Sequence, residues 1–349
     1  MIKNTWSQLT IITLLAATIF SCSPAVVSTS PTRSDSSPAA SRIPPIERFL
    51  DMIHQQEIET MLHEFASNEF FGREAGSAEE RIATEYISDF YKTNKIAAAP
   101  GTDDYYQTIP ARTYPRMPGE ANNVIAYIPG TDMAHEVVVL SAHLDHLGFN
   151  EQGIFNGADD NGSGTIAIMQ IAKAFKKAEL LGVKPRRTMV FLHVTGEEKG
   201  LYGSHYYAEN PLFPMENTIT NLNIDMIGRV DDLRKGKNED YLYLIGSEML
   251  SKELKEIAVK VNQKHFNMEY DFKYDEPNDP NRFYYRSDHY NFAKNNVPAI
   301  FYFNGTHEDY HKVTDTPDKI NYPLLTRRTK LIFATAWELV HRDRRPALD

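Results

Sequence analysis

The side chains most able to do chemistry begin in one stretch, Ser141 to Gly164, reading SAHLDHLGFNEQGIFNGADDNGSG. It follows an apolar run, Val137–Leu140, with the character of a buried parallel strand. His143 and Asp145 stand two apart at the end of that strand, so strand geometry turns both to the same face. The pair Asp159–Asp160 comes next, and Asn161–Gly162–Ser163–Gly164 then opens an apolar, helix-like segment. Neutral imidazole nitrogen and carboxylate oxygen together suit zinc. An Asp close to a ligating His can hold its tautomer. The plainer reading of the same residues is a solvated polar loop in which the Asp residues form turns.

Three further stretches add to the first. In Thr195–Gly196–Glu197–Glu198–Lys199–Gly200, two adjacent acids leave a strand end into a Gly-rich turn. Adjacent side chains diverge, so one can hold a metal while the other faces a water that the metal acidifies and takes its proton. Standing alone, the pair is an acidic surface turn. In Asn223–Ile224–Asp225–Met226, a single Asp ends an apolar strand, a position where Asp also caps the next element. In Tyr310–His311–Lys312–Val313–Thr314–Asp315–Thr316, a loop His follows the apolar run Pro298–Phe303. His146, His193, His205 and His307 are read as structural or exposed.

The elements that must carry these residues can be read from periodicity. Helices are expected over residues 57–67, with Ile58, Met61, Leu62 and Phe65 inward, and over 78–92, with Ile82, Tyr86, Ile87 and Phe90 inward. More are expected over 164–177, 204–209, 248–264 and 323–341. Ser287 is suited to N-cap a helix over 288–294. Strands are expected over 123–128, 137–142, 188–194, 218–226, 241–245 and 297–303, with loops over 100–118 and 270–286. Strands alternating with helices imply one α/β domain: a largely parallel twisted sheet with helices on both faces. In such sheets ligands sit beyond the carboxyl ends of the strands, which is where the four stretches fall.

Composition narrows the function classes. The chain has 349 residues, 42% hydrophobic, with a formal net charge of −10. This argues against nucleic-acid binding, which calls for a basic face. Lys3 and the apolar core Leu9–Phe20 have the form of an export signal, too short and wrongly flanked for a stable membrane span. Ile19–Phe20–Ser21–Cys22 resembles a bacterial lipoprotein signal, with Ile where Leu is commoner. Cys22, the only cysteine, would then be the lipidated first residue; a plain secretory signal is the other reading. Residues 23–45 are rich in Ser, Pro, Ala and Thr and read as a disordered tether. The expected order is a leader over 1–22, a tether over 23–45 and a peptidase domain over 46–349. The protein is expected to be exported and lipid-anchored on the periplasmic or outer side of a bacterial membrane.

Taken in order, H-x-D, D-x-x-S-G, E-E, a strand-end D and H-x-x-x-D-T resemble the co-catalytic zinc aminopeptidases. That family includes bacterial leucyl aminopeptidases and aminopeptidase Y, with glutamate carboxypeptidase and glutaminyl cyclase as distant relatives. The resemblance spans roughly residues 65–318. It implies two zinc ions: His143 and Asp225 on one, Glu198 and His311 on the other, and Asp160 bridging. It makes Glu197 the general base and Asp145 the group that orients His143, leaving Asp159 a turn or supporting role. Tyr310 matches a residue that polarises the scissile carbonyl in some members. Asp288 and His289 match a stretch near the substrate, although a helix N-terminus explains Asp288 equally well. The resemblance also implies a cis peptide after Asp160. The short loop from Pro110 to Glu120 leaves no room for the lid that some members insert.

These residues imply an exopeptidase taking peptides with a free N-terminus. A glutaminyl cyclase would use a single zinc. A carboxypeptidase would need a cation such as Arg229, Arg282 or Arg286. A non-catalytic peptide-binding lipoprotein would be expected to have lost ligands. No G-x-S-x-G is present for a serine hydrolase.

Overall fold

Val137 to Leu140 alternate between two apolar clusters, and this places the whole sheet. Val138 and Leu140 join the larger core with Phe175 and Trp337, while Val137 and Val139 join a smaller one with Tyr207 and Phe292. A strand buried on both faces must lie inside a sheet covered on both sides. The structure, a computed structural model, describes residues 44–349 except Asp103, Pro118 and Pro277. The leader, Cys22 and the tether as far as residue 43 lie outside the described residues.

The elements in chain order are α1 (Glu47–Leu50), α2 (Gln55–Phe65), α3 (Glu80–Thr93), β1 (Ala97–Ala98), β2 (Tyr106–Ile109), β3 (Ala121–Ile128), β4 (Met133–His143), α4 (Gly164–Leu180) and β5 (Arg187–Val194). There follow α5 (Tyr202–Glu209), β6 (Thr218–Ile224), β7 (Tyr241–Ile245), α6 (Lys252–His265), β8 (Glu269–Asp271), α7 (His289–Ala293), β9 (Ala299–Phe303) and α8 (Tyr322–His341). The sheet order is β1-β3-β5-β4-β6-β9-β7-β8, with β2 also paired to β3. Its centre, β5-β4-β6-β9, is parallel. β3 runs antiparallel to β5, and β7 antiparallel to β9. The sheet is therefore mixed, with the expected parallel arrangement in the middle. Helices α4 and α8 cover one face, and α5 and α7 the other. No helix among the described residues is long and apolar enough to cross a membrane.

Element ends shift by a few residues, the short α1 and β1 were not expected, and three further details differ from the periodicity reading. The short strands β2 and β8 fall in segments read as loops; β2 lies at the sheet margin and β8 at its edge, and neither carries an apolar run to mark it. On α3 the buried stripe is Ala83, Ile87 and Tyr91, while Ile82 is 38% exposed. The stripe is pinned from outside the helix, because the Tyr91 hydroxyl lies 2.6 Å from His193 Nε2 in the core.

Candidate metal centre

The motif residues gather at the carboxyl edge of the central strands. His143 ends β4, and its register partner Val194 ends β5, three residues before Glu197. Asp225 follows the last residue of β6, whose Ile224 pairs with Tyr302 of β9. Asp160 lies just before α4, and His311 in the loop after β9.

The Asp-Asn-Gly-Ser-Gly turn ties two of these edges together. Asn161 donates through Nδ2 to the Ile224 carbonyl, 2.8 Å, and its Oδ1 accepts from Met226 N and Gly164 N. Ser163 Oγ donates to the Asp159 carbonyl and accepts from Ile227 N. A side chain at Gly164 would collide with the Ile224 carbonyl at 2.5 Å, so glycine lets α4 start directly against β6. The Asp160–Asn161 peptide is cis.

This brings the acids and imidazoles into two groups that share Asp160. On one side His143 Nε2 lies 3.2 Å from Asp160 Oδ1 and 3.4 Å from Asp225 Oδ1. On the other, His311 Nε2 lies 3.1 Å from Asp160 Oδ2 and 3.2 Å from Glu198 Oε2. His146 Nδ1 lies 2.8 Å from Glu198 Oε1. Within these groups His143 Nε2, His146 Nδ1, Asp160 Oδ2 and Glu198 Oε1 are buried and make no hydrogen bond. Buried polar atoms are ordinarily paired. Here they converge as two sets, His143–Asp160–Asp225 and His146–Asp160–Glu198, each able to hold a metal ion. Oxygen and imidazole donors fit zinc.

The expected ligands His143, Asp160, Glu198, Asp225 and His311 thus meet, and His146, read as structural or exposed, joins them. Its signal was present in the HLDH run, where it follows directly on Asp145 at a strand end.

Several supporting roles differ from expectation. His143 Nδ1 faces the backbone carbonyl of Asp145 at 3.0 Å, not its carboxylate, which lies 3.7 Å away. The Asp145 carboxylate instead accepts from Glu197 N at 3.2 Å and so braces the acidic turn. Ser287 caps no helix: its Oγ donates to Asp225 Oδ2, 2.7 Å, and the N-cap of α7 is Asp288, which makes no capping bond. Behind Ser287 runs a buried relay in which Asn221 Nδ2 donates to Ser141 Oγ, Ser141 Oγ to Asn223 Oδ1, and Asn223 Nδ2 to Ser287 Oγ. The period-two spacing of Asn221, Asn223 and Asp225 was its sequence signal. Asp159 takes the supporting role, accepting from Gly228 N at 2.6 Å and meeting His307 Nε2 at 3.1 Å. Asp315 accepts the backbone N–H groups of Asp159 and Asp160.

Asp288 is buried and accepts from Ser204 Oγ at 2.5 Å. His289 does not reach the cleft. Its ring is buried and stacked on Phe301 at 5.0 Å, because α7 packs that face against β9. Tyr310 stacks on His311 at 3.9 Å and its hydroxyl lies 3.5 Å from Arg286 Nη2. Beside the acids the cleft has an apolar wall of Met226, Phe283, Phe301 and Phe303, with Arg286 and Tyr310 also lining it.

Electrostatics separates the acids. Burial works against charge on Asp160, yet the facing His143, His311 and His146 rings outweigh it and hold its carboxyl well below the usual range. Glu198 is likewise lowered against burial, by His146 and His311. Burial, with Asp225, Glu198 and Asp288 adding to it, pushes Glu197 well above the ordinary value. Burial raises Asp145 to about 6 and Asp288 to about 7.

A sequence model of peptidase family M28 matches residues 123–336, more than half the chain. The chain belongs to peptidase family M28. A probable aminopeptidase of Saccharomyces cerevisiae is 25% identical over 62% of this chain and 57% of its own length. A probable zinc metalloprotease of Pyrenophora teres f. teres is 33% identical over 36% of this chain, which spans 25% of that relative's length. Among solved structures, the LapA aminopeptidase of Legionella pneumophila superposes with a TM-score of 0.66 at 21% identity, covering 87% of this chain and 77% of that one. At that identity the likeness is one of fold. The M28 match begins at Asn123 and takes in every residue of the two metal groups.

Proposed function

We propose that this M28 chain is a di-zinc aminopeptidase that removes N-terminal residues from peptides. The observation that carries the reading is the pair of metal-binding groups sharing Asp160, with Glu197 and an apolar wall on the same cleft. His143, Asp160 and Asp225 would hold one zinc, and Asp160, Glu198 and His311 the other. Bound zinc supplies Lewis acidity toward a peptide carbonyl and lowers the pKa of water. Glu197 is the proton carrier: its carboxylate takes the proton of the attacking water and returns it to the departing amine. Asp145 holds the Glu197 backbone in place, and Ser287 holds the Asp225 carboxylate. Met226, Phe283, Phe301 and Phe303 receive the first side chain, which favours Leu, Phe or Met. The acids that remain around the cleft favour a substrate amine.

Arg286 supports a second reading. Of the three candidate cations, Arg229 is paired with Asp309 at 2.9 Å and Arg282 lies over Tyr285, while Arg286 lines the cleft. A carboxypeptidase could use it for the substrate carboxylate.

One pentapeptide in free, N-acetylated and C-amidated forms separates the two, with products followed by mass spectrometry. The aminopeptidase reading expects sequential loss from the amino end in the free and amidated forms, and the acetylated copy slower by more than about tenfold, since its extra carbonyl is desolvated without a partner. Loss from the carboxyl end, or equal cleavage of the acetylated copy, overturns it. Two zinc ions per chain are expected; full activity with one favours the cyclase alternative.

The proposal extends to address. The leader and Cys22 support export and lipid anchoring on a bacterial membrane, where several acyl chains on one Cys would hold firmly. A mature N-terminus other than lipidated Cys22 overturns that part alone.

A further inference from the structure

Building on the di-zinc reading, we infer that His146 is a ligand of the second metal position, making that position a closed set of His146, Asp160, Glu198 and His311. The first position, with His143, Asp160 and Asp225, keeps a free coordination site. His146 is fully buried, and neither ring nitrogen makes a hydrogen bond. Its Nδ1 lies 2.8 Å from Glu198 Oε1 and 3.8 Å from Asp160 Oδ2, and both of these oxygens are also without a hydrogen bond. At 2.8 Å a hydrogen bond to Glu198 would be short enough, but its directional requirement is not met. Three buried polar atoms that face one another and make no hydrogen bond are the arrangement a cation satisfies.

The other buried histidines make the contrast. His193 has the Tyr91 hydroxyl and His307 has Asp159; His289 also makes no ring hydrogen bond, but it is stacked on Phe301 and faces no acid, so unpaired nitrogens and facing carboxylates coincide at His146. The His146 ring is also held from behind. A side chain at Gly157 would come within 2.6 Å of it, and the His146 backbone N–H donates to the Arg73 carbonyl at 3.2 Å. Packed this way, the ring presents Nδ1 to the second group and cannot serve the first.

The consequence is an unequal pair of metals. Four protein ligands make a closed site of the kind that binds tightly, and three leave a position open for water or substrate. The second position therefore fills first and resists chelators longer. With zinc bound, the position of His143, Asp160 and Asp225 would then be the one with room for a substrate amine.

The test uses the full chain in detergent. X-ray absorption on the two-zinc wild type should count about 1.5 imidazoles per zinc; an average near one overturns the inference while leaving the di-zinc reading standing. His146→Ala should lose its more chelator-resistant zinc, with affinity there falling by more than about tenfold, and added imidazole should restore it. A folded His146→Ala with two zinc ions of unchanged chelator resistance overturns the inference. If that variant does not fold, the wild-type imidazole count decides. A wild type that binds no zinc at all overturns the functional reading and this inference together.

Discussion

Two polar regions lie side by side in this molecule and are opposite in how their buried atoms are satisfied. Around Arg73, the guanidinium is fully buried and donates to four backbone carbonyls, those of Leu144, Phe65, Asn156 and Gly157, at 2.7 to 3.2 Å. It thereby joins the loop after β4 to the loop that carries Asp160. Burial lowers its pKa to about 10, against the opposing pull of Asp145, Asp315 and Asp160, and it stays a cation at neutral pH. Around Asp160, by contrast, four polar atoms face one another without hydrogen bonds. A polar group that makes its bonds within the protein stabilises the fold; one left unpaired among its neighbours is reserved for something the protein binds. The difference marks where the scaffold stops and the chemistry begins.

The comparison can be broken most severely at the bridge. Asp160→Ala removes the one carboxylate both groups share, so the protein should lose both zinc ions and all measurable hydrolysis. Retention of either ion, by metal analysis, would show that the two groups are independent. Glu197→Gln should keep both ions and lose on the order of 10²–10⁴-fold in kcat. If this variant instead loses zinc while Glu198→Gln keeps it, the roles within the pair are exchanged.

Arg73→Met tests the satisfied region. It strands four buried carbonyls and should cost on the order of 3 kcal/mol or more in urea unfolding, at unchanged zinc stoichiometry in the folded fraction. A loss under about 1 kcal/mol would mean those carbonyls find other partners. Glu80 sharpens the same region through pH. It is buried beneath the acidic turn, accepts from Gly76 N and Thr195 Oγ, and burial raises its pKa from 4.5 to about 8. The folded protein therefore binds a proton that the unfolded chain has released. This term is fully present below about 4.5 and is lost as pH rises toward 8. The stability of Glu80→Gln relative to wild type should rise across that window, by at most about 1.4 kcal/mol per pH unit. A pH-independent difference would show that Glu80 titrates normally. Tyr310→Phe should have the smallest effect, under about tenfold in kcat/KM, because its 3.5 Å contact with Arg286 is long for a hydrogen bond. A larger loss would place the hydroxyl on the reacting carbonyl.

The central strands and the long helices were legible because each is a local pattern, whereas the five expected ligands were implied by the resemblance that several motifs in order carry, since Asp225 and His311 taken singly read equally well as a cap and a loop histidine. Apolar runs over 137–140 and 299–303 bury on both faces wherever they are placed, and the spacing Ile58, Met61, Leu62, Phe65 selects one side of a helix. H-x-D at a strand end and Asp-Asn-Gly-Ser-Gly before a helix carry their geometry in a few residues. Residue type and short-range spacing determined that much.

Which atoms meet across the sheet was decided by the tertiary structure. Nothing in the spacing of Ser287 tells that it will reach Asp225, 62 residues away, instead of capping its own helix. The same holds for the turn of the Asp145 carboxylate toward Glu197, the burial of His289 behind Phe301 and the aim of His146 at Glu198. Each of these is a choice between a local partner and a distant one. The sheet order and the packing of α7 and Gly157 settle it by placing the distant partner within reach.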